Sequence, residues 1–401
     1  MGNVIGIVAE YNPFHNGHAR LIEQTRAQLG AVCPVVCVMS GDFVQRGSPA
    51  VYSKFARAEA AVRCGADLVL ELPLPWSLSS AEGFARAAVT LLTSTGVVTH
   101  LAFGAEDPDL DRLQVLADAA LEKSTIDATL EHLGTGIPYA RARERALYAR
   151  LRSEAELLRR PNNTLAIEYL KALRSLQSGV QPIALPREGA GHDGEPADGF
   201  ASAAWLRERL RSDDWESVLP YLPRASFDLL ADGARRGKLM LSLERFECAL
   251  LPQLLRMGIN ELAALPGASE GLEHRLYDAI RQGRSFDAVW QAAKTKRYPA
   301  SRLRRMLLCA FLGVTASDQA QPIPYIRVLG LSQTGRTLLR DMAQKSALPV
   351  VTRPAEIKAL SQQALALFER EVLADDLYRL ALPGWQHEQA GDAWRRQPVI
   401  L

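Results

Sequence analysis

The sequence predicts an α/β protein with a doubly wound parallel sheet, followed by a mainly α-helical C-terminal region. In the first two hundred residues, short apolar runs alternate with amphipathic stretches, which is the pattern of β-α-β units. After about residue 212 this alternation fades into helical segments separated by breaks such as LPYLP at 219–223. We therefore predict a sheet domain at 1–212 that binds the ligand and a mainly helical domain at 213–401.

The same pattern places the elements in order along the chain. Strands are expected near residues 3–9, 35–39, 67–72, 98–103 and 181–186. Helices are expected at about residues 17–29, 54–64, 79–95, 108–122, 138–158 and 164–177. Gly30 and Gly65 follow the first two helices, where glycine commonly ends a helix. Residues 87–105 carry no formal charge, but Gly96 and His100 interrupt them, so we expect a helix, a turn and a strand rather than a membrane span.

Composition and charge exclude several classes of protein. Hydrophobic residues make up 48% and charged residues 23% of the 401 residues, which excludes a disordered or fibrous chain. A net charge of +2 excludes a chain that is basic throughout but permits a local basic patch. The five cysteines form no CxxC pair, and we expect Cys33 and Cys37 to pack in the core. The N-terminal segment does not resemble a signal peptide, so we expect a cytoplasmic protein with no membrane partner.

Polar loops follow four of the predicted strands. They read EYNPFHNGH at 10–18, SGDFVQRG at 40–47, GAED at 104–107 and REGAGHD at 187–193. Ligands of doubly wound sheets bind beyond the carboxyl ends of the strands. The sequence therefore predicts a ligand site where these four loops meet.

The first of these loops carries two histidines on either side of a glycine. His15 and His18 lie where a strand leads into a helix, a geometry that directs backbone N–H groups and the positive helix end at an anion. Gly17 allows a phosphate to approach the backbone closely, and the histidines can add donors to its oxygens. Two histidines three apart could instead bind a metal, but no third ligand is near in the sequence. We predict a phosphate site, with no metal ligands.

Residues 281–305 form a locally basic segment with interleaved aromatic residues. Asp287 is its one acid, and Phe286, Trp290 and Tyr298 lie among its cations. Basic and aromatic residues together are typical of nucleic-acid contacts, and a solvated helix face is the alternative. The eight cations are Arg281, Arg284, Lys294, Lys296, Arg297, Arg302, Arg304 and Arg305.

The loop HNGH resembles the HxGH signature of the nucleotidyltransferase superfamily. A series of motifs in one order then resembles the bacterial tRNA(Met) cytidine acetate ligase family more closely. These motifs are GIVAEYNPFHNGH, MSGDFVQRGSPA, GADLVLELP, AFGAED, RRPNNTLAIEYLKAL and PREGAGHD, with KRYPASRLRRMLL and PYIRVLG further on. The resemblance is dense from residue 4 to about 208 and sparser beyond, and it implies the superfamily's Rossmann-like fold for the sheet domain.

This resemblance also implies a reaction and its substrates. ATP and acetate would form acetyl-adenylate with loss of pyrophosphate, and the acetyl group would pass to the wobble cytidine of elongator tRNA(Met) as N4-acetylcytidine. Mg²⁺ is the default partner of ATP. No obligate protein partner is expected.

Site residues are implied by matching the motifs. His15 and His18 would act in catalysis. The ATP-binding residues would be Ile7, Val8, Ala9, Glu10, Tyr11, Asn12, Pro13, Phe14, His15, Asn16, Gly17, His18, Ala19, Arg20, Gly104, Arg187 and one of Asn162 and Asn163. The match does not decide between the two asparagines. Gly104 could equally be glycine because the chain turns sharply there. Arg187 could instead be a surface arginine with no role in binding.

Other residues are further candidates. Gln45, Arg46, Ser202 and Arg207 are candidates for substrate or phosphate contacts, and Asp42 and Lys54 for orienting substrate or metal. The stretch ASAAWLRE at 201–208 departs from the superfamily, because Ala204 replaces a threonine and the bulky Trp205 follows it. The tRNA-binding residues would be Lys294, Lys296, Arg297, Arg302, Arg304 and Arg305.

Two other functions remain open at this stage. HxGH alone fits a small-molecule adenylyltransferase equally well, although the long helical C-terminal region counts against it. A relative that binds nucleotide or tRNA without turnover would fit the altered ASAAWLRE stretch, although the intact histidine pair counts against it.

Overall fold

The structure is a computed structural model that describes residues 2–187, 195–240, 242–295 and 297–401. Its strands are β1 (Ile5–Ala9), β2 (Val35–Ser40), β3 (Phe43–Val44), β4 (Ser48–Pro49), β5 (Leu68–Leu72), β6 (His100–Ala105), β7 (Gln181–Pro186), β8 (Ile326–Leu331), β9 (Val350–Val351) and β10 (Val399–Ile400).

The described α-helices alternate with these strands in the N-terminal half and dominate the C-terminal half. They are α1 (Asn16–Leu29), α2 (Lys54–Arg63), α3 (Leu74–Ser77), α4 (Ala81–Ser94), α5 (Leu110–Leu121), α6 (Lys123–Gly134), α7 (Tyr139–Leu151), α8 (Pro161–Ser175), α9 (Ala203–Arg211), α10 (Trp215–Val218), α11 (Arg224–Arg235), α12 (Glu247–Arg256), α13 (Ile259–Ala263), α14 (Leu272–Gln282), α15 (Phe286–Ala293), α16 (Ala300–Leu312), α17 (Ala316–Ala320), α18 (Gln333–Lys345) and α19 (Gln362–Leu380). Short 3-10 helices span Arg152–Arg159, Leu219–Tyr221, Leu243–Phe246, Pro354–Ala359, Trp385–His387 and Asp392–Trp394.

The main sheet has the strand order β10-β8-β5-β2-β1-β6-β7, and β9 pairs with β8. The predicted doubly wound α/β fold is confirmed, and all five predicted strands are present and parallel to one another. β8 was not predicted; it runs antiparallel to β5, so the sheet is mixed. Strands β8, β9 and β10 extend the sheet from beyond residue 213. The division of the chain at residue 212 stays a prediction.

The central strands are apolar throughout because both faces of the sheet are covered. Val36 and Val38 of β2 are fully buried in a core shared with α4 and α8. Val35, Cys37 and Met39 alternate with them and are fully buried in a second core, shared with α1 and α2. A strand buried on both faces reads as a continuous apolar run, which is why the sequence reveals it.

The uncharged stretch at 87–105 folds as predicted, into the end of α4, a turn and strand β6. Gly96 has a φ of 67°, and a Cβ there would lie 2.3 Å from the backbone oxygen of Lys345, so only glycine fits. Across the described part of the chain, we find no helix with the length and apolar character that crossing a membrane needs.

The helix predicted at 138–158 was wrong in its second half. α7 ends at Leu151 because Arg152 adopts a φ of 54°, and a 3-10 helix continues to Arg159. Helix α6 was not predicted.

The loop after β2 forms a small hairpin of β3 and β4 that docks on α16. Gly47 in its turn has a φ of 75°, and a Cβ there would lie 2.6 Å from both Arg304 Cβ and the Arg305 backbone nitrogen. Phe43 of this hairpin belongs to the helical core formed by α12 to α16 and α19. The helical region therefore fixes the position of Gln45 and Arg46.

A buried cluster of charges joins the sheet to α19. Lys54 Nζ lies 2.8 Å from Glu71 and 3.5 Å from Glu371, and Arg327 lies 3.1 Å from Glu71. Asp42 accepts the backbone N–H of Lys54 at 2.6 Å. Asp42 and Lys54 were candidates for orienting substrate, but both are buried in this cluster and line neither of the cavities described below.

Candidate active site

The two histidines cap the N-terminus of α1 reciprocally. His15 is the N-cap residue, and its Nδ1 accepts the backbone N–H of Gly17 at 3.1 Å. His18 Nδ1 accepts the backbone N–H of His15 at 3.1 Å, and the two rings stack with centroids 3.7 Å apart. Because each Nδ1 is an acceptor, the proton of each neutral ring lies on Nε2.

The environment keeps both rings neutral. Burial, and then the nearby Arg187 and Arg207, lower the pKa of His15 to about 3. Burial, followed by the charges of His15 and Arg187, lowers the pKa of His18 well below its usual value. The pair can therefore offer two Nε2–H donors at neutral pH without carrying charge.

Two cavities, of about 520 and 200 Å³, meet at the histidines. Predicted residues that line the larger one are Ile7, Val8, Ala9, Glu10, Tyr11, Asn12, His15, His18, Gln45, Arg46, Asn162, Arg187, Ser202 and Arg207. Those lining the smaller one are Val8, His15, Gly17, His18, Arg20, Gly104, Asn162 and Arg187. Pro13, Phe14, Asn16, Ala19 and Asn163 line neither cavity.

The two asparagines of PNN have different surroundings. Asn162 lines both cavities, and its Nδ2 donates to Glu106 Oε1 at 2.7 Å. Asn163 is fully buried, and its Oδ1 accepts the backbone N–H of Asp107 at 3.0 Å. Asn163 therefore supports the loop after β6, whereas Asn162 is available to a ligand.

Three arginines make the larger cavity positive. Arg207 donates to the backbone oxygen of Asn12 at 2.8 Å, and burial lowers its pKa to about 10. Burial likewise lowers the pKa of Arg187. Arg46 reaches the same cavity from the hairpin. Arg187 and Arg207 are partly desolvated cations, which interact strongly with a phosphate.

The altered ASAAWLRE stretch begins helix α9 at the cavity wall. Ser202 caps this helix by accepting the backbone N–H of Trp205 at 3.1 Å, and Ala203 and Ala204 line the larger cavity. The Trp205 ring packs edge-on against Tyr221, outside the cavity lining. Ala204 in place of threonine therefore leaves space in the cavity, and Trp205 does not fill that space.

Sequence reasoning missed several cavity residues. Tyr169, Phe84 and Leu165 form an apolar wall, and Arg159 lies at the rim of the larger cavity. Because Arg159 belongs to the RRPNN motif, the sequence could have identified it as a candidate site residue. The apolar residues are indistinguishable in sequence from ordinary core positions on α4 and α8.

The residues of the basic segment have three different environments. Arg302 donates to Glu270 at 2.8 Å and to Ser269, and Arg305 donates to the backbone oxygen of Gln45 at 3.2 Å. Lys294, Arg297 and Arg304 are exposed. The predicted Lys296 lies outside the described residues.

Arg304 connects the basic segment electrostatically to the site. Partial burial of its guanidinium, followed by the charges of Arg211 and Arg46, lowers its pKa, and the guanidinium lies 5.0 Å from the centre of the Trp290 ring. Arg304 also contributes to the field that lowers the pKa of Arg207. The charge of Arg304 on α16 therefore acts on Arg207 in the wall of the larger cavity.

Neither a metal-binding cluster nor a cysteine is found among the described residues that line the two cavities. Among the described residues, no group of three or more His, Cys, Asp or Glu side chains is placed to hold a metal ion. All five cysteines lie within the described ranges and are free, and Cys33 and Cys37 are buried as predicted. The polar side chains described in the lining include the histidines, the arginines, Glu10, Gln45, Asn162 and Ser202.

A parallel sheet whose first β-α turn is capped by two histidines, beneath an arginine-lined cavity, defines the class of nucleotidyltransferases. Consistent with this, the family model described as HIGH Nucleotidyl Transferase matches residues 2–392. The tRNA(Met) cytidine acetate ligase of Caldanaerobacter subterraneus subsp. tengcongensis is 38% identical over 384 residues, covering 94% of this chain and 95% of that protein. The enzyme of the same name from Syntrophotalea carbinolica is 37% identical, covering 95% and 94%.

A solved structure agrees over the whole chain. The crystal structure of Thermotoga maritima TmcAL bound with alpha-thio ATP matches with a TM-score of 0.93 and 32% identity, covering 100% of this chain and 99% of that chain. This chain therefore belongs to the HIGH nucleotidyl transferase family and, within it, to the tRNA(Met) cytidine acetate ligases.

Proposed function

We propose that this chain uses ATP to convert acetate into acetyl-adenylate and then acetylates the wobble cytidine of elongator tRNA(Met). One observation carries this proposal: the histidine pair, with both Nε2–H donors available, lines two joined cavities beside three arginines. The relatives named tRNA(Met) cytidine acetate ligase match nearly the whole chain. The similar Thermotoga maritima protein binds an ATP analogue.

The first step needs alignment and charge stabilisation rather than a base. Acetate is ionised at neutral pH, so its oxygen can attack the α-phosphorus directly while pyrophosphate leaves. Charge builds up on the phosphate oxygens during this displacement. That charge would be stabilised by the Nε2–H groups of His15 and His18, by the N-terminus of α9, and by Arg46, Arg187 and Arg207.

The two cavities suggest how the nucleotide lies. The smaller one has an apolar wall of Phe103, Leu165 and Tyr169, which suits adenosine. A Cβ on Gly104 would meet no atom within 4 Å, so the protein itself does not require glycine there and a ligand can occupy the space. We place the α-phosphate where both cavities meet, beside the histidines and Asn162, and the pyrophosphate toward Arg46 and Arg207.

The tRNA would approach over the exposed cations of α16 and of the segment just before it. Lys294, Arg297 and Arg304 are exposed and suited to phosphate contacts, and Lys296 remains an expectation from the sequence. Arg302 and Arg305 serve the fold through Glu270 and Gln45. A wobble base lies in a loop and can leave its stack to enter the larger cavity without melting a duplex.

We infer that Mg²⁺ enters with the nucleotide rather than through a resident site. Mg²⁺ in such enzymes is usually held by substrate phosphates, waters and one or two carboxylates. The described lining of the larger cavity holds no cluster of carboxylates that could form an all-protein cage, so substrate phosphates and waters would hold the ion. A cytoplasmic location follows from the proposed substrates, because ATP and tRNA are found there.

One assay separates this proposal from its alternatives. The protein is incubated with ATP, labelled acetate and tRNA, and the tRNA is digested to nucleosides. The proposal predicts label in N4-acetylcytidine and acetate-dependent exchange of pyrophosphate into ATP. Exchange without label in cytidine would favour a small-molecule adenylyltransferase, and the absence of exchange would favour a binding protein without turnover.

A further inference from the structure

Glu10 lies at the end of β1, where the larger cavity begins. Its Oε1 accepts the backbone N–H of Gln45 at 2.8 Å, and its backbone oxygen accepts a hydrogen bond from buried Arg57 at 2.7 Å. The following residue, Tyr11, has a φ of 47°, a left-handed conformation that a bulky residue seldom adopts. Two hydrogen bonds and this turn therefore fix a carboxylate in the cavity wall.

The second step of the proposed reaction has to remove a proton. The exocyclic amine of cytidine is a weak nucleophile, and its nitrogen must lose a proton as it becomes an amide. Efficient general bases lie within hydrogen-bond reach of the proton they take and are ionised beforehand. The base must therefore be a group in the cavity wall that has a free lone pair to accept the proton of the amine.

The other titratable groups in the wall cannot accept this proton. Each histidine carries its proton on Nε2, and each Nδ1 lone pair is used by a backbone N–H. The arginines of the site are protonated at neutral pH. Tyr169 is neutral, because burial raises the pKa of its hydroxyl above the usual value. Within the described lining of both cavities, Glu10 is the one carboxylate, and a carboxylate keeps accepting capacity beyond one hydrogen bond.

We propose that Glu10 is the general base of acetyl transfer, an assignment that rests on the function proposed above. The cytidine N4 attacks the acetyl carbonyl carbon, so that a C–N bond forms while the bond from that carbon to the AMP oxygen breaks. AMP leaves with the electron pair of the broken bond. The proton of the amine moves to a carboxylate oxygen of Glu10 and is later released to water.

The test separates the two steps of the reaction in Glu10→Gln, which keeps the size and one acceptor oxygen but removes the base. Acetate-dependent pyrophosphate exchange measures adenylation, and hydroxylamine traps the acetyl-adenylate as a hydroxamate without needing an enzymic base. Single-turnover transfer to tRNA measures the second step. We expect transfer to fall about 10²–10⁴-fold, the usual contribution of a general base, and to fall far more than either exchange or trapping.

Two further variants test whether the loss of acetyl transfer depends on the carboxylate of Glu10. Glu10→Asp keeps a carboxylate one methylene shorter and should transfer acetyl at least about tenfold faster than Glu10→Gln. Glu82→Gln is the matched control, because Glu82 is exposed on nearby α4, pairs with Lys171 at 2.9 Å and does not line the cavity. It should leave both steps unchanged.

Three outcomes would overturn the assignment. Transfer by Glu10→Gln within threefold of the parent would mean that the leaving phosphate or water takes the proton. An equal loss in exchange and transfer would make Glu10 a nucleotide-binding residue. No gain of Glu10→Asp over Glu10→Gln would exclude proton transfer by the carboxylate. Failure of the unaltered protein to show acetate-dependent exchange would instead overturn the proposed function itself.

Discussion

His18 accepts the backbone N–H of His15 through Nδ1, while the ring of His15 stacks on that of His18 at 3.7 Å. The same two side chains therefore cap helix α1 and hold the donors that face the cavities. Because the helix cap uses Nδ1 and leaves Nε2 for the proposed ligand contact, the two roles can be separated by mutation.

His18→Asn tests the donor role of this histidine. The asparagine oxygen can still accept near the position of Nδ1, but the Nε2–H donor is lost. We expect acetate-dependent exchange to fall about 10²–10³-fold, the usual cost of removing one such donor, with little change in Tm. His18→Ala should also lose about 0.5–2 kcal/mol of stability with the cap. The control is His274→Ala, because His274 is an exposed histidine on α14. Undiminished adenylation by His18→Ala would contradict the proposed phosphate site.

The pH dependence of stability tests the burial of His15. Burial and the two nearby arginines lower its pKa to about 3, whereas the unfolded chain titrates near 6.5. The unfolded state therefore binds the proton first, so stability is full above about pH 6.5 and falls on acidification, by up to about 1.4 kcal/mol per pH unit. We expect Tm, measured without nucleotide, to fall less between about pH 7.5 and 5 in His15→Asn than in the parent. An equal fall in both proteins would contradict a neutral, buried His15.

The basic segment should divide into residues that bind tRNA and residues that hold the fold. Arg304→Ala removes an exposed charge, so tRNA affinity should fall and the slope of log affinity against log salt should flatten by about one, with tRNA-independent exchange unchanged. Arg302→Ala removes the pair with Glu270 and should lower Tm. Filter binding at several salt concentrations measures the first effect. Identical salt slopes in Arg304→Ala and the parent would make α16 an ordinary solvated face.

Glu371 should behave as a neutral acid in the buried charge cluster. Burial and then the charge of Glu71 raise its pKa to about 8, above the 4.5 of an unfolded chain. The folded state therefore holds a proton that the unfolded state releases, so this group destabilises the fold increasingly as pH rises from about 4.5 to 8. Glu371→Gln stays neutral, and its Tm relative to the parent should rise between about pH 5 and 8. A constant difference in Tm would mean that Glu371 is ionised.

Glu71→Gln is the contrasting variant at the same cluster. Glu71 pairs with both Lys54 and Arg327, and its loss leaves two buried cations without their main partner. Removing one member of a buried ion pair typically costs about 3–5 kcal/mol. We therefore expect thermal unfolding of Glu71→Gln at neutral pH to show a clear drop in Tm. Glu371→Gln should show no such drop, because it removes no charge from a neutral acid.

The sequence predicted the parallel core of the sheet because its strands are buried on both faces and therefore read as unbroken apolar runs. It did not predict β8, because IRVLGL is a six-residue run in a helical region and its partner β5 lies more than 250 residues earlier. Pairing across such a separation leaves no local signal.

The site was predictable to the level of its motifs but not of every residue. Asn162 and Asn163 open the same helix and bind the same Glu106, so only the fold shows which one reaches the cavities. Arg302 and Arg304 look alike in a basic segment, yet one has a carboxylate partner and the other is exposed. The number of charges in a segment does not show which of them form ion pairs with residues that are distant in the sequence.

The most direct test of the proposed function compares two tRNAs under single-turnover conditions with ATP and labelled acetate. One is elongator tRNA(Met), and the other carries uridine instead of cytidine at the wobble position, so it lacks the exocyclic amine. We predict that label enters the first tRNA, is recovered as N4-acetylcytidine, and is absent from the second. Equal label in both tRNAs, or none in either while acetate-dependent exchange proceeds, would contradict the account.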